Sequence, residues 1–186
     1  MPLLVATFDI ATATGVCVGR VGGKPKVATW DLSAGGSSRP ARLLYFSNLL
    51  DELFARQKID VVRCEAPLEL AGQVRIGTNE SVQLFLRGAI GVFEVCAARA
   101  KIPDIGMFDV QKAREHLTGS RTFPKDKKGK STAKLEVWKV AKMLGVKCAD
   151  YEQSDAFCGF SYTCALLNPR LAMLVTPLFS GKRPAA

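Results

Sequence analysis

The sequence predicts an α/β fold in which a five-stranded mixed sheet is flanked by helices. Three observations carry this reading: short apolar strands bounded by small residues fill the first third, strand and helix periodicities alternate through the middle, and the last third is helical. Leu3 to Asp9, Thr14 to Arg20 and Lys26 to Leu32 read as a meander, because small-residue and Gly-Gly turns separate them. From Ala41 to Gln57, the apolar residues Leu43, Leu44, Phe46, Leu49, Leu50, Leu53 and Phe54 recur at helical spacing, and Ile59 to Cys64 then forms an apolar strand. Ser81 to Ala100 is again helical, with Val82, Phe85, Leu86, Ile90, Phe93 and Ala97 as its core stripe, and Ile102 to Phe108 is the last strand. Two further helices lie near Ser131 to Leu144 and Gln153 to Leu167. No internal repeat is visible.

The 186 residues fit one domain, placed at residues 1–168, followed by a tail at 169–186 whose basic, proline-containing end is expected to be partly disordered. An apolar share of 48% and a charged share of 23% exclude wholesale disorder. The net charge of +9 points to a polyanionic partner, with nucleic acid ahead of an acidic membrane surface. Six cysteines show no Cys-x-x-Cys pairing and sit among apolar residues, so buried free thiols are expected, not a zinc ribbon or a disulfide framework. That usage suits a reducing cytoplasm. The single histidine, His116, gives a multi-histidine metal site nothing to draw on and is expected to face solvent on a short helix. No stretch reads as a membrane span or a targeting signal, so a cytoplasmic protein without a membrane partner is expected.

Four acids stand out. Asp9 ends the first apolar strand, Glu65 ends another, and Glu152 and Asp155 lie far downstream in Glu-Gln-Ser-Asp-Ala-Phe. Apolar neighbours imply burial, and an unpaired buried carboxylate is costly unless a cation or a donor compensates it. If the first strand and the strand at 59–64 are adjacent and parallel, Asp9 and Glu65 meet at one carboxyl edge. Glu152 and Asp155, three apart on a helix, share a face, although Asp150 is an alternative third acid. Carboxylate oxygens suit hard divalent cations, and two such ions a few ångströms apart serve phosphodiester hydrolysis without histidine.

The segment from Arg121 to Lys134 is strongly biased. It sets Arg121, Lys125, Lys127, Lys128, Lys130 and Lys134 against one acid, Asp126, while Pro124 and Gly129 argue against a regular element. A flexible basic loop that contacts phosphates is the expectation, contributing salt-sensitive, sequence-independent affinity.

These residues carry a resemblance. Phe8-Asp9-Ile10-Ala11-Thr12-Ala13-Thr14-Gly15, Val62-Arg63-Cys64-Glu65-Ala66-Pro67, the small-residue helix around Leu86 to Val92 and Glu152-Gln153-Ser154-Asp155-Ala156-Phe157 together resemble the RuvC-type Holliday junction resolvases of the RNase H-like nuclease superfamily. The resemblance spans about residues 3 to 167. It implies an RNase H-like fold and a homodimer that nicks a four-way DNA junction symmetrically, with two Mg2+ or Mn2+ ions per site and no small-molecule cofactor. It also implies catalytic roles for Lys112 and Lys134 beside Asp9, Glu65, Glu152 and Asp155, and it places Gln73 and Arg75 near the scissile phosphate. Two features depart from the pattern: Glu152 stands where many members carry Asp, and the basic loop is longer. The opening Asp-x-Ala-x-x-x-Gly also resembles the phosphate loop of actin-like ATPases, but those need two such domains. Another RNase H-like nuclease acting on RNA-containing substrates, and a junction-binding protein without cleavage, are the alternatives.

Overall fold

A computed structural model of the chain describes residues 1–67 and 80–170. The elements are β1 (Leu4–Asp9), β2 (Ala13–Arg20), β3 (Lys26–Asp31), α1 (Arg39–Arg56), β4 (Val61–Glu65), α2 (Glu80–Arg99), β5 (Asp104–Phe108), α3 (Val110–Thr118), α4 (Ala133–Met143) and α5 (Tyr151–Leu167), with a 3-10 turn at Leu32–Gly35. The sheet order is β3-β2-β1-β4-β5. β1–β2 and β2–β3 pair antiparallel, while β1–β4 and β4–β5 pair parallel, so the expected five-stranded mixed sheet is present. Of the tail placed at 169–186, only Pro169 and Arg170 lie within the described residues.

Strand alternation decides what each face of the sheet carries. Ala6, Phe8, Val62 and Cys64 point into a core under α1 and α2, where the Phe8 and Phe93 rings meet edge to face at 5.4 Å. Val5, Cys17 and Val61 point the other way, toward α3, α4 and α5, and join Leu117, Val137, Phe157 and Phe160. α5 lies over β1 and β2 and is buried from Ser154 to Ser161, which explains why its sequence is apolar nearly all round.

α1 starts two residues earlier than its apolar stripe indicates, because Ser38 caps it by accepting from the Ala41 amide and Pro40 occupies its first turn. α2 departs from the expectation of no span-length apolar segment. By length and composition alone it is long and apolar enough to cross a membrane. One face packs Phe85, Ala89, Phe93, Cys96 and Ala97 against the core, and the opposite side leaves Leu84 and Val95 exposed. Val82, expected in the core stripe, is on the core-facing side but exposed because it stands in the helix's first turn.

One further expectation is corrected. His116 does not face solvent: it is half-buried against α5, its Nε2 lies 3.3 Å from Ser161 Oγ, its ring is 5.9 Å from that of Tyr162, and burial pulls its pKa down. The basic segment forms no helix or strand before α4 begins at Ala133, in keeping with Pro124 and Gly129, but it is closed by local bonds. Lys125 and Ser131 bridge antiparallel, the Asp126 amide donates to the Lys130 carbonyl, and Asp126 Oδ1 accepts from the amides of Lys128 and Lys130. Gly129, at φ +76, makes the turn at the tip. The result is a closed hairpin with Lys125, Lys127, Lys128 and Lys130 exposed on it. All six cysteines are buried free thiols, as expected.

Candidate active site

The four acids converge because of strand parity and one helix. In the β1–β4 register Phe8 lies opposite Cys64, so the next residues, Asp9 and Glu65, end adjacent parallel strands on the α5 face. Their carboxyl groups are close enough for each to shift the other's protonation. α5 brings Glu152 and Asp155 onto the same edge, and two details fix its seat. Gly15, paired with Asp9 across the β1–β2 ladder, has no room for a side chain: a Cβ there would stand 1.9 Å from the Glu152 carbonyl oxygen. Thr7, fully buried on β1, donates its hydroxyl to the Ala156 carbonyl at 2.8 Å. Both contacts flank Asp155 in sequence. Asp150 is committed elsewhere, since Oδ1 caps α5 at the Gln153 amide and Oδ2 accepts from Thr29 Oγ1 at 2.6 Å. Of the two candidates for the third acid, Glu152 is thus the one turned toward the cluster. Tyr151 packs edge to face on Trp138.

The electrostatics follow from this crowding. Burial, then the Asp9 charge beside it, pushes Glu65 up to about 8. Burial and the Asp155 charge likewise raise Asp9, against the pull of Lys134. Asp155 is 3% exposed and carries the cations: Lys134 Nζ stands 3.3 Å away, and one Arg114 Nη 3.3 Å away. Lys134 also reaches Glu152 at 3.6 Å. Burial lowers the Lys134 pKa, but the surrounding carboxylates outweigh it and the net shift is upward.

The structure thus brings together Asp9, Glu65, Glu152, Asp155 and Lys134. Lys112 is exposed in the first turn of α3, its amide held by the Asp109 cap, and it makes no ion pair with these acids among the described residues. Arg121 pairs with Glu115 at 2.7 Å, away from the cluster. Gln73 and Arg75 lie outside the described residues.

Arg114 is the residue that sequence reasoning missed. Its side chain is mostly buried, and its Nε is a buried donor with no partner. A signal existed: Val110, Ala113, Arg114 and Leu117 follow the i, i+3, i+4, i+7 spacing of a buried helix face, so Arg114 occupies a core-facing seat.

A hard divalent cation fits this donor set in chemistry. The acids are carboxylates alone, and among the described residues the buried Asp9–Glu65 pair makes no ion pair, the Lys134 and Arg114 contacts going to Asp155. Among the described residues no three of these groups are already drawn onto one point.

No protein-family model matches the sequence, and no curated protein matches it. Solved structures do. RuvC of Thermus thermophilus is similar at a TM-score of 0.65 and 18% identity, covering 89% of this chain and 96% of that one. The same protein in complex with a Holliday junction substrate gives a TM-score of 0.62 at 17% identity, covering 89% and 95%. The yeast mitochondrial Holliday junction resolvase Ydc2 gives 0.51 at 11% identity, covering 92% and 79%. The sheet order and the helices packed on it are therefore those of a RuvC-like fold.

Proposed function

We propose that this chain is a metal-dependent endonuclease that resolves four-way DNA junctions by paired symmetric nicks, working as a homodimer. The observation that carries the reading is the Asp9–Glu65 pair, two buried acids at the ends of adjacent parallel strands, each raised by burial and by a neighbouring acid, with Asp155 acting on both. Asp9, Glu65, Glu152 and Asp155 would hold one or two Mg2+ or Mn2+ ions, which supply an activated water and charge stabilisation at the leaving oxygen. The acids release their excess proton when they take up metal, because the ligands must be ionised. Lys134 and Arg114, both against Asp155, then stand beside a phosphate held at that edge and donate to its oxygens. The exposed lysines of the 121–134 hairpin, with Gln73 and Arg75, are assigned to holding the DNA backbone, and Lys112 to the same surface.

A homodimer is supported by α2, whose Leu84 and Val95 leave apolar side chains exposed on the side away from the core, which a second copy would cover. Two nicks of like polarity require two such sites. Six free thiols suit a reducing compartment such as the cytoplasm.

The test is a substrate panel: labelled four-way junction, linear duplex and RNA–DNA hybrid, each with Mg2+ or with EDTA. Metal-dependent symmetric nicks confined to the junction are expected. Preferential cutting of the hybrid would replace this reading with a ribonuclease H activity, and junction binding without cleavage in Mg2+ or Mn2+ would leave an architectural protein.

A further inference from the structure

We propose that Trp138 and Tyr151, with Lys142, form a nucleotide-stacking subsite beside the acidic centre, where a base of a DNA strand leaving that centre is held. The inference rests on the reading of the acidic edge as a DNA-cleaving site and names a place where its substrate docks.

The geometry begins with α4. Lys134, Trp138 and Lys142 are spaced by four and share one helix face. Lys134, at the near end, is paired with Glu152 and Asp155. One turn on, the Trp138 ring lies 6.2 Å from the ring of Tyr151, the residue preceding Glu152, at an interplanar angle of 69°. At the far end the Lys142 ammonium sits 3.6 Å from the Trp138 ring centroid. Tyr151 is 42% exposed, and Trp138, half-buried with one side packed on the core, stands beside it at the rim of the candidate site.

The surroundings select a polyanion with flat apolar groups. Lys142 and Lys147 are exposed here, and the acid on α4, Glu136, is taken up by Lys139 at 2.9 Å. The basic hairpin precedes the same helix in the chain, and along that helix Lys134, Trp138 and Lys142 follow one another on one face. At about 1.5 Å per residue, the run from Lys134 to Lys142 covers about 12 Å, which is about three to four nucleotide rises along a strand. A base has a π-face that an aromatic shelf accepts whatever its identity, and an unstacked nucleotide next to a branch point presents that face. In the free protein Lys142 covers the ring. A base stacked on Trp138 takes that position and turns the ammonium outward to the adjoining phosphate, so one displacement makes two contacts.

The experiment is done in EDTA, so that binding is read without cleavage. Junction DNA is titrated into wild type and Trp138→Phe while tryptophan emission and the anisotropy of the labelled DNA are recorded. Trp30 is common to both proteins and cancels in the comparison. Wild-type emission is expected to fall on binding, and that change is expected to vanish in Trp138→Phe, which keeps a ring and binds within about twofold of wild type. Tyr151→Ala, at an exposed position, is expected to bind on the order of tenfold more weakly. DNA that binds while the emission change is the same in both proteins, or a Tyr151→Ala affinity equal to wild type, overturns the subsite. DNA that binds as expected here but is not nicked in Mg2+ overturns the nuclease reading and leaves the subsite standing, whereas absence of binding overturns both.

Discussion

At the scale of the residue, the Asp9–Glu65 contact makes the protonation of one acid depend on the other. In the unfolded chain Glu65 loses its proton near its ordinary 4.5, and in the folded chain near about 8. Between those values the folded state binds the extra proton, so Glu65 contributes stability that is complete below about 4.5 and is lost as pH rises through about 8. In EDTA the melting temperature is therefore expected to fall from about pH 5 to about pH 8, and Glu65→Gln, which keeps the shape and removes the charge, is expected to flatten that slope. An unchanged slope would place the extra proton elsewhere. Arg114 is the second test at this scale. A fixed cation with an unpartnered buried donor beside Asp155 is suited to a phosphate oxygen that arrives later. Arg114→Ala is expected to slow single-turnover nicking on the order of a hundredfold, the usual loss for one preorganised donor, while junction affinity changes only a few-fold. A rate near wild type would make the residue a structural counter-ion to Asp155.

At the scale of the element, the site depends on where α5 lies. Gly15 and Thr7 hold its first turns against β2 and β1, so the helix delivers Glu152 and Asp155 to the strand ends as one rigid piece. The hairpin at 121–134 is the other element with a task. Because Asp126 and Gly129 close it, its lysines project from a shaped surface, and on meeting DNA phosphates they should release counter-ions. Replacing Lys127, Lys128 and Lys130 with Ala is expected to weaken junction binding and to reduce the salt slope by about one unit for each phosphate left without its lysine, read from affinities across a salt series. A slope equal to wild type would mean that the hairpin stands clear of the DNA.

At the scale of the whole molecule, the sheet and its helices were legible because apolar runs and periodicities of two and 3.6 are local signals. The acid pair was legible for the same reason: a carboxylate that ends an apolar strand has a parity, and parity put Asp9 and Glu65 on one face. What was not legible depends on contacts across the chain. The spacing on α3 shows Arg114 facing the core but not what it meets there until α5 brings Asp155 to it, and Asp150 competes with Glu152 until Thr29 and the Gln153 amide claim its oxygens. His116 looks exposed until Ser161 and Tyr162 meet it. The hairpin closes through a side-chain acceptor that no periodicity reveals. The central claim, that the acidic edge cuts the junction which the basic surface holds, is tested most directly with Asp9→Asn. Bound to a labelled four-way junction in Mg2+, this variant is expected to retain wild-type affinity and to give no paired nicks, because it removes a metal ligand and leaves the phosphate contacts in place. Paired nicks at the wild-type rate from Asp9→Asn, or loss of binding together with cleavage, would contradict the account.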